Sequence, residues 1–351
     1  KINGYKSKIN GYKSKINGYK SKINGNHMEK EVTVIEVGPR DGLQNLSQYV
    51  GTEKKIQLIK ALADAGLREI QAGAFVSPRA IPQFRDMKEL TAGIASLPGI
   101  KFSALVPNLR GAREAIAVGI DKLIYFFSLS ETHNLNNVRQ TREASLLGLK
   151  AIRELAASIP QTELTVALAT VFGCPFEGFL STGHVLRNVE KVAALDIREI
   201  TLCDTVGFGN PRQVEEILTA CRDAFPDITF AVHFHNTRGL GLANALRAYD
   251  VGIRRFDAAL GGLGGCPFAP GASGNIATED LAFMFAGMGI ATGIDLEGLL
   301  EATRLLERLL PGVALSGSLY RAGLPRPQPP EAGREGIPPG PEISLPPHQD
   351  W

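Results

Sequence analysis

Two histidines separated by one residue are the first feature of this sequence that could carry chemistry. His233 and His235 close an apolar run that begins at Phe230 and predicts a buried strand. Residues two apart on a strand share a face, so both imidazoles point to the same side at the strand's carboxyl end. Two imidazoles suit a divalent metal. Standing alone, the motif fits a pair of hydrogen-bonded core histidines better.

An arginine, an aspartate and an asparagine would lie near the two histidines if other strands end at the same place. Arg40 and Asp41 follow an earlier apolar run and offer a fixed cation and an oxygen ligand, although an ordinary salt-bridged turn has the same composition. Asn275 lies in a glycine-rich stretch whose backbone can approach a ligand closely or move. The mixed oxygen and nitrogen set suits Mg²⁺ or Mn²⁺ with open positions, and not a closed structural zinc site. The predicted metal ligands are Asp41, His233, His235 and Asn275.

The elements that must position these residues alternate along the chain. Eight short apolar runs, each followed by a helical pattern, predict an α/β fold with a parallel sheet, and their number and the chain length favour a closed TIM (β/α)8 barrel. No GxGxxG sequence follows the first run, which argues against a dinucleotide-binding fold. The predicted strands are Val32–Val37, Glu69–Ala74, Lys101–Val106, Lys122–Phe127, Leu164–Thr170, Glu199–Cys203, Ile228–His233 and Arg255–Ala259.

The chain divides into three segments by composition. Residues 1–27 repeat KINGYKS and read as an expression tag and cloning scar. Residues 28–324 form the predicted catalytic domain, in which Thr278–Met288 and Leu296–Leu310 are additional C-terminal helices. Residues 325–351 contain nine prolines and predict a disordered tail, with a proline-rich binding segment as the less favoured alternative.

Charge and cysteine content limit the partners. Leaving out the seven lysines of the tag takes the formal charge from +2 to −5, so nothing favours nucleic acid. No apolar run reaches the roughly 18 residues that a membrane span requires, and no signal peptide follows Met28. The four cysteines lack paired spacing. We therefore expect a cytoplasmic protein with no nucleic-acid or membrane partner.

Several longer motifs carry a family resemblance from about Val32 to Leu309. The sequence resembles the 3-hydroxy-3-methylglutaryl-CoA (HMG-CoA) lyases, which are metal-dependent barrel enzymes. The resemblance implies retro-Claisen cleavage of HMG-CoA, or a related 3-hydroxyacyl-CoA, to acetyl-CoA and a keto product, as in leucine degradation. It also implies a homodimer, and no nucleotide cofactor beyond the CoA of the substrate. The motifs are GPRDGLQN (38–45), FVSP (75–78), FGCPFEG (172–178), DTVGFGNP (204–211), HFHNT (233–237) and GGLGGCPFAPGASGNIATEDL (261–281).

The same resemblance implies roles for individual residues. Arg40 would stabilise the charge that develops on the thioester oxygen. Cys266 would close over the site and help to move a proton to the enolate. Asp204 would accept a proton or orient its neighbours, although a helix cap explains it equally well. The implied catalytic residues are Arg40, Asp204, His233 and Cys266, and the implied substrate-binding residues are Gln44, Gln71, Ser77, Asn137 and Thr205.

Four positions depart from the pattern of this family. Gln71 replaces a glutamate near Arg40, Thr165 and Ala167 replace an Arg and a Tyr that face the pocket, and Asn236 replaces an acid. Loss of the acid should leave Arg40 less tethered, and the strand-five changes should widen the pocket and make it less polar. We expect the cleavage chemistry to survive while the preferred acyl group is bulkier or different.

Two alternative functions stay open at this stage. A related metal-dependent aldolase or acyl-CoA condensing synthase would use the same barrel and ligands, although the GGCPFAPGASGN loop disfavours it. A catalytically degenerate homologue would bind an acyl-CoA without cleaving it. Retention of all four predicted ligands disfavours the degenerate homologue.

Overall fold

Eight parallel strands form a closed barrel in the computed structural model, which describes residues 31–264 and 274–325. Each strand pairs with its neighbours in chain order, and the first pairs with the last. The predicted TIM barrel is therefore confirmed, and every predicted strand boundary agrees within one residue. The strands are β1 (Thr33–Glu36), β2 (Glu69–Ala74), β3 (Lys101–Leu105), β4 (Lys122–Ser128), β5 (Glu163–Ala169), β6 (Glu199–Asp204), β7 (Thr229–Phe234) and β8 (Arg255–Ala258).

Helices surround the barrel. The sequence pattern predicts a helix after each strand, but it gave no bounds for three helices, which are α2, α4 and α11 as defined below. The α4 segment is rich in asparagine, a poor helix former, but the Ser130 side chain accepts a hydrogen bond from the backbone N–H of His133 and caps its first turn. In the described residues the helices are α1 (Thr52–Asp64), α2 (Met87–Ile94), α3 (Leu109–Ala117), α4 (Glu131–Val138), α5 (Arg142–Ala157), α6 (Thr182–Ala193), α7 (Pro211–Ala224), α8 (Gly241–Asp250), α9 (Thr278–Gly287), α10 (Leu296–Leu309) and α11 (Ser318–Ala322).

The first of the predicted additional helices belongs to the barrel itself. Phe285 of α9 packs its ring against Phe256 of β8 and Tyr249 of α8, which is the place of an eighth barrel helix. The following helix, α10, packs against α1, and the N–H of Asp295 at its start donates to the carbonyl of Ala65. The C-terminal helices beyond the basic barrel are thus α10 and α11, and α4 is an additional helix between β4 and α5.

A short π-helical turn, Gly38–Gly42, follows β1 and carries the first chemical motif. The N–H groups of Asp41 and Gly42 both donate to the carbonyl of Val37, at 2.7 and 3.3 Å. A Cβ on Gly38 would lie 2.5 Å from a carboxylate oxygen of Glu36, so only glycine fits there without a shift. Single π-helical turns are frequent at functional sites, and this one sets Arg40 and Asp41 at the barrel's carboxyl end.

The opposite end of the barrel interior is filled by charges. The ammonium group of Lys122 lies 3.0 Å from Glu199 and 3.5 Å from Glu69, and Arg255 lies 2.6 Å from Glu69. This end is therefore packed with ion pairs, while the carboxyl end carries the candidate site. No helix in the described ranges is both long and apolar enough to span a membrane.

Candidate active site

Three predicted metal ligands converge at the carboxyl ends of β1 and β7. Ligand atoms of Asp41, His233 and His235 all lie within 4.8 Å of one another, and all three residues are buried. The Nε2 atoms of His233 and His235 are 3.1 Å apart, and they lie 4.0 and 3.7 Å from Oδ2 of Asp41. Two imidazole nitrogens and a carboxylate oxygen directed at one point are a suitable donor set for a divalent cation.

The orientation of His233 is fixed from behind. Its Nδ1 atom lies 3.0 Å from Oδ2 of Asp257 on β8. A carboxylate accepts the Nδ1 proton, which leaves Nε2 to act as the ligand atom. The sequence reading missed Asp257. Its position two residues after Arg255, near the end of a predicted strand, was the available signal.

Asn275, the fourth predicted ligand, lies beside the same carboxylate. Its side-chain amide donates to Oδ2 of Asp41 at 2.8 Å and to the carbonyl of Leu263 at 2.9 Å. Its amide oxygen is buried and has no hydrogen-bond partner in the described structure. A buried oxygen left without a partner carries an energetic cost, and a hard cation is the kind of group that would satisfy it. The donor set therefore fits a divalent metal.

Electrostatics keep Asp41 ionised. Burial alone would raise the pKa of this carboxyl group, but the charge of Arg40 and the contacts with His235 and His233 outweigh burial and hold the pKa well below its usual value. The guanidinium of Arg40 donates directly to Oδ1 of Asp41. Because the Asp41 carboxylate is already ionised, no proton has to be removed from it when a cation binds.

Gln71 holds Arg40 from the other side. Nε of Arg40 donates to the amide oxygen of Gln71 at 2.8 Å, and the amide nitrogen of Gln71 lies 3.5 Å from Asp257. The guanidinium is thus still tethered, through a neutral acceptor instead of the acid of the family pattern. Gln71 lies behind Arg40 and does not line the cavity. Its predicted contact with substrate stays a prediction.

A cavity of about 880 Å³ opens above the cluster. Four of the predicted substrate-binding residues line it, and one of them, Gln44, also donates to Oδ1 of Asp41 at 2.9 Å. The sequence reading missed His133 on α4 and two exposed arginines that line the same cavity, Arg79 and Arg139. Only the folded path of the loops brings these residues to the cavity. The four predicted lining residues are Gln44, Ser77, Asn137 and Thr205.

Asp204 is buried at the end of β6 and does not line the cavity. Its carboxylate accepts from the N–H groups of Phe208 at 2.8 Å and Gly209 at 3.0 Å, so it holds the loop that follows. Burial raises the pKa of Asp204 even though these bonds oppose the shift. Helix α7 is capped by Asn210 instead. The proton-transfer role of Asp204 stays a prediction, and Cys266 lies outside the described residues.

The departures on β5 and just after β7 differ in their surroundings. Ala167 lines the cavity, whereas Thr165, two residues earlier, is buried below it. The side chain of Asn236 accepts from the N–H of Gly241 at 3.0 Å, at the start of α8.

Fold and site together define a TIM-barrel enzyme with a cluster of possible metal ligands at the carboxyl ends of its strands. The family model described as HMGL-like matches residues 31–306. The chain belongs to this family, whose members are metal-dependent.

Relatives agree with this assignment. Hydroxymethylglutaryl-CoA lyase YngG of Bacillus subtilis is 45% identical over 278 residues, which are 79% of this chain and 93% of that protein. The mitochondrial human enzyme is 42% identical over 275 residues, 78% of this chain and 84% of that protein. An HMG-CoA lyase of Acinetobacter baumannii, solved with coenzyme A and 3-methylmalate, superposes with a TM-score of 0.80 at 46% identity and covers 87% of this chain and all of that one.

Proposed function

We propose that this protein is a divalent-metal-dependent lyase that cleaves HMG-CoA, or a close 3-hydroxyacyl-CoA relative, to acetyl-CoA and a keto acid. The observation that carries the proposal is the contact between Arg40 and Asp41. A fixed cation thereby adjoins a buried donor set that fits a divalent metal. The named activity of relatives at 42–45% identity supports the same reaction.

In this reaction the bond between C2 and C3 of the acyl group breaks. The 3-hydroxyl passes its proton to a general base and becomes the ketone, and the electron pair of the broken bond passes to the thioester as an enolate. A proton added at C2 then gives acetyl-CoA. With HMG-CoA the second product is acetoacetate.

Side chains of the protein stabilise the charge that develops during this reaction and hold one another in position. Arg40 lines the cavity and stabilises negative charge on the thioester oxygen, because a preorganised cation in a partly buried site needs no reorganisation. Gln71 and Asp41 fix the direction of its guanidinium. The protonated Nδ1 of His233 is held by Asp257. We further propose that Cys266 returns the proton to C2.

Asp41, His233, His235 and Asn275 would hold the cation, which when bound supplies Lewis acidity toward the substrate's oxygen atoms. The oxygen-containing donor set favours Mg²⁺ or Mn²⁺.

The CoA part of the substrate would enter over the exposed rim of the cavity. Arg79 and Arg139 line this rim and carry charges that complement phosphate groups. The related structure from A. baumannii holds coenzyme A.

A cytoplasmic homodimer completes the proposal, and sedimentation of the purified protein tests its oligomeric state.

The test is metal-dependent release of acetyl-CoA. Chelator-treated protein is assayed with HMG-CoA with and without Mg²⁺ or Mn²⁺, and the products are identified by mass. We expect activity only with metal and its loss in Asp41→Ala, while Asp64→Ala, an exposed acid on α1, retains it. If HMG-CoA and its analogues stay intact with both metals, the protein is not such a lyase. A condensation of pyruvate with acetyl-CoA would instead support the synthase alternative.

A further inference from the structure

One side of the cavity is apolar. Leu105 of β3, Phe126 of β4 and Ala167 and Ala169 of β5 all line it, and we call these four residues the apolar wall. Phe126 and Ala167 are register partners on neighbouring parallel strands, so their side chains stand side by side. Ala169 lies two residues further along β5 and shares the face of Ala167.

The apolar wall lies across the barrel from the metal cluster. In the strand order of the closed barrel, β3, β4 and β5 are opposite β7, β8 and β1. The buried carboxylates and the buried guanidinium that line the cavity in the described residues come from the cluster side, on Asp41, Asp257 and Arg40. On the wall side the buried lining imidazole is His133 of α4, and burial lowers its pKa, which favours the uncharged form. The remaining lining cations, Arg79 and Arg139, are on exposed loops.

A negatively charged arm of the substrate would therefore have no cationic partner on the wall. The nearest charges on these strands lie lower in the barrel, where Lys122 and Glu163 take part in ion pairs. Between the two levels are Ile124 and Thr165, which are register partners, so the space directly below the wall is bounded by one apolar side chain and one small side chain with a buried hydroxyl. An apolar group against the wall loses no polar contact and is removed from water.

The two alanines of the wall also leave space. Ala167 is only partly buried, because its side chain faces the open cavity. A larger residue there would occupy volume that an acyl branch can otherwise fill. With the hydroxyl and thioester oxygens directed at the cluster and Arg40, a branch on C3 is the part of the acyl group free to point across the barrel.

We propose that the apolar wall selects 3-hydroxyacyl-CoAs whose C3 branch is an alkyl group larger than methyl. This inference rests on the proposed lyase function and names its substrate class. Ala167 is the residue that sets the allowed size of the branch. The carboxylate of the acyl group then points toward the exposed rim.

The test compares two substrates in the metal-loaded wild-type protein: HMG-CoA and 3-hydroxy-3-isobutylglutaryl-CoA. The second gives acetyl-CoA and 5-methyl-3-oxohexanoate if it is cleaved at the same bond. Their kcat/KM values are also measured in Ala167→Leu, which fills the space beside Phe126. Leu147→Gln, an exposed change on the outer side of α5, is the control for handling and purity.

We expect wild-type kcat/KM for the isobutyl substrate to equal or exceed that for HMG-CoA. Ala167→Leu should lower the value for the isobutyl substrate at least tenfold and that for HMG-CoA less than threefold, because one methylene too many in an apolar pocket changes kcat/KM by roughly tenfold or more. A higher wild-type kcat/KM for HMG-CoA overturns the inference, and so does an equal loss for both substrates in the variant.

These outcomes separate the inference from the proposed function. If HMG-CoA is cleaved in preference to the isobutyl substrate, the proposed lyase function stands and the inferred preference for a larger C3 branch is wrong. Absence of metal-dependent cleavage of either substrate removes both. The wild-type comparison decides the matter even if Ala167→Leu does not fold.

Discussion

Two residues of the metal cluster, His233 and Asp41, are held in place by neighbours that are not themselves ligands. Asp257 accepts from Nδ1 of His233, and Gln44 donates to Asp41. Such outer contacts set the tautomer and direction of the ligands and contribute to metal affinity. The metal-binding strength of this site therefore depends on residues that never touch the cation.

Replacing Asp257 by asparagine should weaken metal binding. The amide oxygen can still accept from Nδ1 of His233, but the negative charge that makes Nε2 a better donor is lost. We expect the dissociation constant for Mn²⁺ to rise by about 10- to 100-fold. Isothermal titration calorimetry of the chelator-treated protein measures it.

Asp250→Asn is the matched control for this change. Asp250 is at the end of α8, and its side chain is about half exposed, so this variant should bind Mn²⁺ like the wild type. A dissociation constant for Asp257→Asn within twofold of the control would show that the carboxylate does not tune the site.

The sequence was sufficient to identify the predicted metal ligands but not the residues that hold them in place. Asp41, His233 and His235 were found because each follows a clear apolar run, and the carboxyl ends of parallel strands converge. Asp257 was missed because a single acid at the end of a short strand has no distinctive spacing. Arg139 was missed because it adopts a left-handed backbone conformation, with φ of 58°, that no local pattern predicts.

At the scale of secondary-structure elements, Glu36 joins three segments around the site. One carboxylate oxygen accepts from the N–H groups of Gly38 at 2.7 Å and Leu260 at 2.9 Å, and the other accepts from the hydroxyl of Thr278 at 2.7 Å. The end of β1, the loop after β8 and the start of α9 thus meet at one fully buried side chain. Burial raises the pKa of Glu36 to about 7, against hydrogen bonds that lower it.

This raised pKa predicts a loss of stability as pH rises. The folded state holds the proton up to about pH 7, while the unfolded state, with the ordinary pKa of 4.5, releases it earlier. Between these values the folded state binds more protons, so the free energy of unfolding falls as pH increases, in total by about 3 kcal/mol for this group. Glu36→Gln should remove that part of the pH dependence. Urea unfolding at pH 5 and pH 8, with chelator present, measures it.

Glu154→Gln, an exposed change on α5, is the control and should keep the wild-type difference between the two pH values. Other groups also titrate in this range, so the comparison is the difference between variant and wild type. An unchanged pH dependence in Glu36→Gln would mean that this carboxyl group does not hold its proton in the folded protein.

The elements themselves were predicted well where burial determines them. Strands of a parallel barrel are covered on both faces and read as short apolar runs, which is why all eight were found. Helix α4, whose buried residues are the polar His133 and Asn134, was not found. The α4 helix depends on its Ser130 cap, and the π-helical turn depends on close contacts of Gly38 and Gly42. These contacts exist only after the barrel has formed.

At the scale of the whole molecule, the two ends of the barrel interior differ in purpose. The carboxyl end carries the cluster, the cavity and the apolar wall, whereas the amino end is closed by ion pairs around Lys122. In barrels of this type the amino end serves stability and the carboxyl end serves chemistry. Changes at the amino end should therefore alter stability while leaving catalysis intact.

Lys122→Ala tests this separation against Lys101→Ala. The Lys122 side chain is 5% exposed and contacts Glu69, Glu163 and Glu199. These carboxylates are 17–49% exposed and keep Arg255 or Lys101 as a partner, so removal of Lys122 should cost its charged hydrogen bonds, about 1.5–3 kcal/mol of unfolding free energy. The ion pair of Lys101 with Glu163 is 39% and 49% exposed at its two side chains, and its loss should cost less than about 1 kcal/mol. Urea unfolding measures both costs, and kcat/KM at a temperature where both variants are folded should stay near the wild-type value. A similar cost for the two lysines would mean that the amino end of the barrel is hydrated, and a selective loss of kcat/KM in Lys122→Ala would mean that its ion pairs reach the chemistry at the other end.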